Sequence, residues 1–290
     1  MAKKKQQNPT QNKQQQSQTT ENTSNNSSTL KTFLLIIAGL LGILIISNLD
    51  NITGGDTDDL PAYAPVKPEP TSSASTAQSS ERQQLNELGA KQLKEENYVA
   101  ALATFQKVID LKKDDPAAYN NLGVVHSRQK NYAQAMKLYQ KALDIDSTFA
   151  DAYYSIGLAY ENQKQPQQAI DYYQKTLSLN PAYPRALLHL GLIYDAQKNY
   201  DKAIESYNKA VELNKDYAVA YFNLGNTYLH KNEIDKAMKV YQQAIQTDST
   251  YAKPHVNIAN CYKMKNQMDL AQKHFQKALQ LDPSLNKMRK

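Results

Sequence analysis

The feature that most constrains this chain is a repeat of 34 residues, which runs without insertion or deletion from residue 82 to residue 285. A pair of Leu or Ile with Gly recurs at this interval, with Ala replacing Gly in the last copy: Leu88-Gly89, Leu122-Gly123, Ile156-Gly157, Leu190-Gly191, Leu224-Gly225 and Ile258-Ala259. Two further columns follow each pair, one of alanine and one of aromatic residues. They are Ala101, Ala135, Ala169, Ala203, Ala237 and Ala271, and Phe105, Tyr139, Tyr173, Tyr207, Tyr241 and Phe275. Six unbroken copies predict an array of one supersecondary unit rather than a domain around a single core.

Within one copy, the apolar and small residues follow the period of an α-helix. In the second copy they fall at i, i+3, i+4 and i+7 in two segments: Tyr119, Leu122, Gly123 and His126, then Ala135, Leu138, Tyr139 and Ala142. A glycine inside a helix costs about 1 kcal/mol relative to alanine, so its recurrence at one spacing indicates a packing requirement. We expect the Gly and Ala columns to let the two helices cross closely, and the aromatic column to fill the space toward the neighbouring repeat.

These columns resemble the tetratricopeptide repeat family, in which a small-residue pair, an aromatic and a proline near the end of the unit mark a helical hairpin. Pro181 and Pro283 stand at that last position. The resemblance implies an all-α fold, a right-handed α-solenoid of six hairpins over units 82–115, 116–149, 150–183, 184–217, 218–251 and 252–285. The chain departs from the family at the turn inside each hairpin, where glycine is replaced by Glu96, Lys130, Lys164, Lys198, Asn232 and Asn266. We expect this departure to lower stability without changing the fold.

The resemblance also implies a concave binding surface lined by the first helices. The residues beside the Leu-Gly pairs are therefore predicted to bind a partner: Asn120, Asn121, Tyr154, Leu158, Leu188, Leu192, Phe222, Asn223, Asn226 and Asn257. The asparagine column resembles the ladder with which tetratricopeptide proteins hold the backbone of extended peptides. The apolar residues among them are interpreted either as an exposed patch for a partner or as packing between repeats. The paired Lys and Arg of a carboxylate clamp are absent from these positions.

The first 80 residues differ from the repeat in composition. Residues 1–29 are polar and are predicted to be a disordered cytoplasmic tail. Residues 30–49 contain fourteen consecutive apolar residues, Phe33 to Ile46, and are predicted to be a single transmembrane helix. Residues 50–80 are rich in Pro, Ser and Thr and are predicted to be a disordered linker. A cleaved leader is the alternative to an uncleaved anchor, although the Ala-x-Ala motif at residues 62–64 lies far from the apolar run and precedes Pro65.

The charge distribution predicts the orientation of the chain. Five lysines precede the apolar run and an acidic segment follows it, so the N-terminus is expected in the cytoplasm and the repeats outside it, in the manner of a bacterial inner-membrane protein. The net charge of +6 is spread thinly along the repeats, which disfavours nucleic acid as a partner. The protein partner, or extended peptide, cannot be identified from the sequence.

No catalytic motif, phosphate-binding loop or spacing typical of a metal site occurs in the sequence, so no enzyme activity, cofactor or metal is predicted. The single cysteine, Cys261, and the histidines are interpreted as packing or surface residues. The five residues after Leu285 do not supply a capping helix, so part of Phe275, Leu279 and Leu281 is expected to lie uncovered. This edge is interpreted as a site for a second copy or a partner, or as a frayed end.

The sequence therefore favours a membrane-anchored scaffold that binds proteins and supports assembly of an envelope complex. The alternative is a chaperone-like factor near the export machinery that holds unfolded clients. A receptor facing the cytoplasm from an organelle is a third hypothesis, and the acidic flank after residue 50 argues against it.

Overall fold

The computed structural model of the chain describes residues 73–285, which form twelve α-helices joined by short turns. The helices are α1 (Ser73–Lys94), α2 (Tyr98–Leu111), α3 (Pro116–Arg128), α4 (Tyr132–Ile145), α5 (Ala150–Asn162), α6 (Pro166–Leu179), α7 (Pro184–Ala196), α8 (Tyr200–Leu213), α9 (Ala218–His230), α10 (Ile234–Thr247), α11 (Ala252–Met264) and α12 (Met268–Leu281). Odd-numbered helices are the first and even-numbered helices the second of each hairpin. The predicted all-α array of six hairpins is thus confirmed for these residues.

The predicted tail, the anchor at residues 30–49 and the linker up to residue 72 lie outside the described residues, as do residues 286–290. Among the helices that are described, none has both the length and the apolar character needed to cross a bilayer. One boundary requires correction, since α1 begins at Ser73 and the stretch 73–80 was assigned to the linker. The extension is tied to the second helix, because the Gln78 Nε2 donates to the Leu111 carbonyl at 3.3 Å.

Helix ends are set by local chemistry. Asp115 caps α3 by accepting hydrogen bonds from the amides of Ala117 and Ala118. Proline occupies the first position of α3, α6 and α7, where its missing N–H costs nothing. Two residues past the end of each first helix stands a residue with a φ of 57–61°, and these are the six replacements of the turn glycine noted in the sequence. The residue after Lys130, Asn131, donates its amide to the His126 carbonyl at 2.9 Å, a bond that closes the helix.

The glycine column exists because of the aromatic column of the same hairpin. A Cβ on Gly191 would stand 2.5 Å from Tyr207 Cε1, and one on Gly123 would stand 2.6 Å from Tyr139 Cε1. The rings therefore lie directly on the glycines of their own hairpins. They also reach the next repeat, as expected, since Tyr173 stacks on His189 with ring centroids 5.4 Å apart. The tyrosine hydroxyls reach polar groups near the end of the first helix, as Tyr173 does with Glu161 Oε2 at 2.6 Å.

Candidate protein-binding face

The first helices of successive hairpins approach one another closely, α3 with α5 and α7 with α9. The second helices show no comparable approach to one another within residues 73–285. In a curved stack, the elements on the inside lie closest together. The first helices therefore form the inner side of the array, where the sequence predicted the binding surface.

Most of the predicted binding residues lie beneath this surface rather than on it. Leu158 and Leu192 are half-buried, and the other eight predicted residues are buried: Asn120, Asn121, Tyr154, Leu188, Phe222, Asn223, Asn226 and Asn257. Tyr154, Leu188 and Phe222 have at most 1% of their surface exposed, so the interpretation as an exposed apolar patch is wrong for these three. They are buried because the second residue before each Leu-Gly pair packs between neighbouring hairpins, as Tyr154 does against His189 of the next hairpin at a ring distance of 5.8 Å.

The asparagines of the predicted ladder bond within the protein. Asn257 Nδ2 donates to Asn226 Oδ1 at 2.7 Å, and Tyr241 donates to the same oxygen at 2.6 Å. Asn121 Nδ2 donates to Asn86 Oδ1 at 3.2 Å. Hydrogen bonds between hairpins thus use amides that were expected to face a peptide. Burial also raises the pKa of Tyr241 well above its ordinary value, which keeps this hydroxyl neutral.

One stripe of accessible side chains stands at the start, middle and end of the first helices α5, α7, α9 and α11. We call them the inner face: Asp151, Leu158, Asn162, Arg185, Leu192, Ala196, Val219, His230, Lys253, Asn260 and Met264. Within one helix they are spaced i, i+7 and i+11, which places them on one stripe. Only Leu158 and Leu192 were predicted. The others share their helical stripe, a periodic signal that was present in the sequence.

Polar contacts between hairpins fix the helices that carry this face. His189 Nδ1 lies 3.0 Å from Glu161 Oε2, and His230 Nδ1 lies 3.1 Å from Asp195 Oδ1. Within the third repeat unit, Tyr183 donates to Asp151 Oδ1 at 2.7 Å. Burial acts to raise the pKa of Glu161, but the interaction with His189 and the hydrogen bonds from His189 and Tyr173 outweigh it, so that pKa lies below its usual value. The face is therefore presented by a pre-ordered scaffold.

Sequence reasoning separated the histidines, yet the structure brings two of them together. His255 Nδ1 on α11 and His274 Nδ1 on α12 lie 3.2 Å apart. Within residues 78–285 there is no group of three or more His, Cys, Asp or Glu side chains placed to hold a metal ion. Burial raises the pKa of the Cys261 thiol to about 12, which leaves it protonated and unreactive at neutral pH.

Comparison with known proteins agrees with this geometry. Models of the tetratricopeptide repeat match residues 93–130, 114–182, 154–218, 218–251 and 252–285. This part of the chain belongs to the tetratricopeptide repeat family. No curated protein matches the chain.

Several solved tetratricopeptide structures are similar to it. MamA is 27% identical, with a TM-score of 0.52 over 57% of this chain and 97% of its own. YrrB, described as a TPR protein with an unusual peptide-binding site, is 26% identical, with a TM-score of 0.50 over 62% of this chain and 92% of its own. PilF of Pseudomonas aeruginosa, at 22% identity, has a TM-score of 0.61 over 71% of this chain and 94% of its own, a likeness of fold alone.

Proposed function

We propose that this chain is a membrane-anchored tetratricopeptide scaffold that binds an extended segment of a protein partner along its inner face and supports assembly of an envelope complex. The observation that carries the proposal is the accessible stripe on successive first helices. It mixes apolar side chains, such as Leu158 and Leu192, with the cations Arg185 and Lys253. The similarity to YrrB, a TPR protein with a peptide-binding site, supports a peptide as the occupant.

The dimensions of the array suit such a segment. Packed helices lie roughly 10 Å apart, and an extended chain advances about 3.3 Å per residue, so one hairpin matches about three residues of a peptide. The four first helices α5 to α11 would then contact a segment of about twelve residues. The mixture of charged and apolar side chains favours a partner segment that carries acidic and apolar residues in alternation.

Membrane attachment through residues 30–49 and export of the repeats rest on the apolar run and on the lysines that precede it. Deletion of residues 30–49 should move the chain from the membrane fraction to the soluble fraction. Protease added to intact cells and to spheroplasts should cleave the repeats only after the outer barrier is opened. Cleavage only after lysis of the spheroplasts would contradict the proposed orientation.

The inner face can be tested by affinity capture of the full chain from membranes. Leu192→Asp and Arg185→Glu change half-buried residues of the face, whereas changes at the buried Leu188 or Phe222 would unfold the array. Leu213→Asp is the matched control, because Leu213 is exposed at the end of α8, outside the face. The proposal predicts that the first two variants lose a stoichiometric partner and that the control retains it.

Two outcomes would contradict the proposed scaffold function. Retention of the partner by both inner-face variants would show that binding occurs elsewhere. Capture of many weakly bound proteins in place of one stoichiometric partner would favour the chaperone-like alternative. Pairing of two copies through the last hairpin is a separate prediction, which sedimentation of the purified full chain would test.

A further inference from the structure

The last hairpin leaves part of its packing surface uncovered. In each of the first five hairpins, the residue of the aromatic column has at most 1% of its surface exposed. Phe275, which holds this position in the last hairpin, is half-buried. Met268, at the start of α12, is 60% exposed, whereas Tyr200 and Ile234 at the same place in the two preceding hairpins are half-buried. We call Met268, Asp269 and Phe275 the terminal edge. In an array whose repeats gain stability from their neighbours, this edge is where a further helix would pack.

A repeated contact describes what a further helix must carry. Asp201 is the second residue of α8, and its Oδ1 lies 2.6 Å from Lys231 Nζ, directly after α9. Asp235 holds the same place on α10, and its Oδ1 lies 2.6 Å from Lys265 Nζ, directly after α11. Each time, an acid at the start of a second helix meets a lysine just past the end of the next first helix.

The residue before the acid takes part in the same contact. Tyr200, the first residue of α8, packs against His230, the last residue of α9, with ring centroids 5.6 Å apart. One apolar contact and one ion pair therefore fix the end of the incoming helix. Met268 and Asp269 occupy the same two places on α12, and no ion pair joins Asp269 to a cation within residues 78–285.

We propose that the terminal edge binds a helix of a partner protein, in the position of a next first helix, through an apolar face and a Lys or Arg just past the C-terminal end of that helix. Apolar residues at i, i+3, i+4 and i+7 would cover Phe275 and Met268, and the cation would pair with Asp269. The apolar contact supplies affinity, and the charge sets which helix is accepted.

A second copy of the chain stacked head to tail does not offer a charge complementary to the terminal edge. Glu95, directly after α1, stands in the column that holds Lys231 and Lys265 in the later repeats. A second copy stacked in register would place Glu95 against Asp269, and like charges in contact disfavour association. The edge therefore suits a different chain with a basic residue at that position.

The proposal is tested with a peptide of residues 252–266 carrying Cys261→Ser, which is the preceding first helix together with its lysine. A second peptide also carries Lys265→Glu. Both are fluorescently labelled and titrated with the full chain in detergent, as wild type and as Asp269→Lys. The wild type should prefer the lysine peptide by about threefold or more, and Asp269→Lys should reverse that preference. Asp216→Lys, at an exposed acid away from the edge, should leave it unchanged.

Met268→Ser tests the apolar part of the contact, because Met268 is exposed and its replacement should leave the melting temperature unchanged. It should weaken binding of both peptides, whereas Val99→Ser, at another exposed apolar residue, should not. Failure of the lysine peptide to bind the wild type at millimolar concentration, or a preference that survives Asp269→Lys, would overturn the proposal. Dimers in sedimentation that Met268→Ser dissociates, without peptide binding, would overturn it in favour of a second copy.

Discussion

Asn120 on α3 is buried, and neither its amide nitrogen nor its carbonyl oxygen has a hydrogen-bond partner among the described residues. Leu188 occupies the same column two repeats later and is completely buried, so the column accepts leucine. Asn120→Leu should therefore raise the free energy of unfolding by about 1–2 kcal/mol, because it removes two unsatisfied polar atoms. Urea unfolding measures this change. Asn121→Leu is the contrast and should lower stability, because it deprives buried Asn86 of its partner at 3.2 Å. A loss of stability in Asn120→Leu would contradict the assignment.

The five glycines of the repeat are required because the aromatic ring of the same hairpin leaves no space for a side chain. In Gly191→Ala the new methyl group would stand 2.5 Å from Cε1 of Tyr207, a ring with almost no exposed surface. The ring or the helix must move, so we expect a loss of about 1–3 kcal/mol in thermal or urea unfolding. Glu212→Ala, at an exposed position of α8, should change stability by less than about 0.5 kcal/mol. Equal effects of the two substitutions would show that the Tyr207 contact is unimportant.

At the scale of the hairpin, the turn after each first helix stores backbone strain. Lys164 has a φ of 59°, a left-handed conformation that costs about 1 kcal/mol for a residue with a Cβ. Lys164→Gly should therefore stabilise the chain by about 1 kcal/mol. Lys175→Gly, on the exposed side of α6, should destabilise it by a similar amount, because glycine weakens a helix interior. Calorimetry of the two variants should show melting temperatures that move in opposite directions.

The last hairpin should respond to pH. Burial, followed by repulsion from His274, holds the pKa of His255 below 6.5, and burial with the nearby Lys273 lowers the pKa of His274. Since the folded pKa values lie below the unfolded value, stability is full above pH 6.5 and falls as the pH drops below it. Glu161, whose pKa is lowered from 4.5, loses its contribution only in stronger acid.

Hydrogen exchange at pH 7.5 and pH 5.5, corrected for intrinsic rates, should show protection falling in α11 and α12 but not in α7. His274→Gln should flatten this difference, because it leaves one imidazole in place of two whose Nδ1 atoms lie 3.2 Å apart. A fall in protection spread evenly over all hairpins would contradict a local effect.

The sequence predicted the elements well and the surface poorly, for a physical reason. The 34-residue period and the i, i+3, i+4 spacing depend on local geometry, so the hairpins and their helices could be read directly. Burial of Asn120, Leu188 and Phe222 depends on how closely successive first helices approach, which one helix does not encode. The meeting of His255 with His274 likewise requires the pairing of two helices. Helix α1 enters the predicted linker, where the Gln78 side chain bonds to the Leu111 carbonyl of α2, a contact that the polar composition alone does not predict.

At the scale of the molecule, stability is distributed along the array. Hydrogen bonds and ion pairs join neighbouring hairpins, such as Asn86 to Asn121 and Asp235 to Lys265. In such a one-dimensional array, stability is approximately a sum of the stabilities of the hairpins and of the interfaces between neighbours. Loss of an end should therefore weaken the remainder without abolishing its fold.

Deletion of residues 252–290 removes the sixth hairpin, which begins at Ala252, and uncovers Tyr241, the aromatic of the fifth. The shortened chain should keep a helical circular dichroism spectrum and melt at a lower temperature, since it loses one interface. Its urea m-value should fall by about one-sixth, because m scales with the surface exposed on unfolding.

Excision of residues 184–217 is the internal comparison. It preserves the 34-residue register but removes His189, so that the half-buried Glu161 keeps only its hydrogen bond from Tyr173. Loss of one of the two partners of a poorly solvated carboxylate is destabilising, so the internal excision should destabilise the array more than loss of the end does. Complete unfolding of the end-deleted chain would instead indicate a single cooperative core and contradict an array stabilised by neighbours.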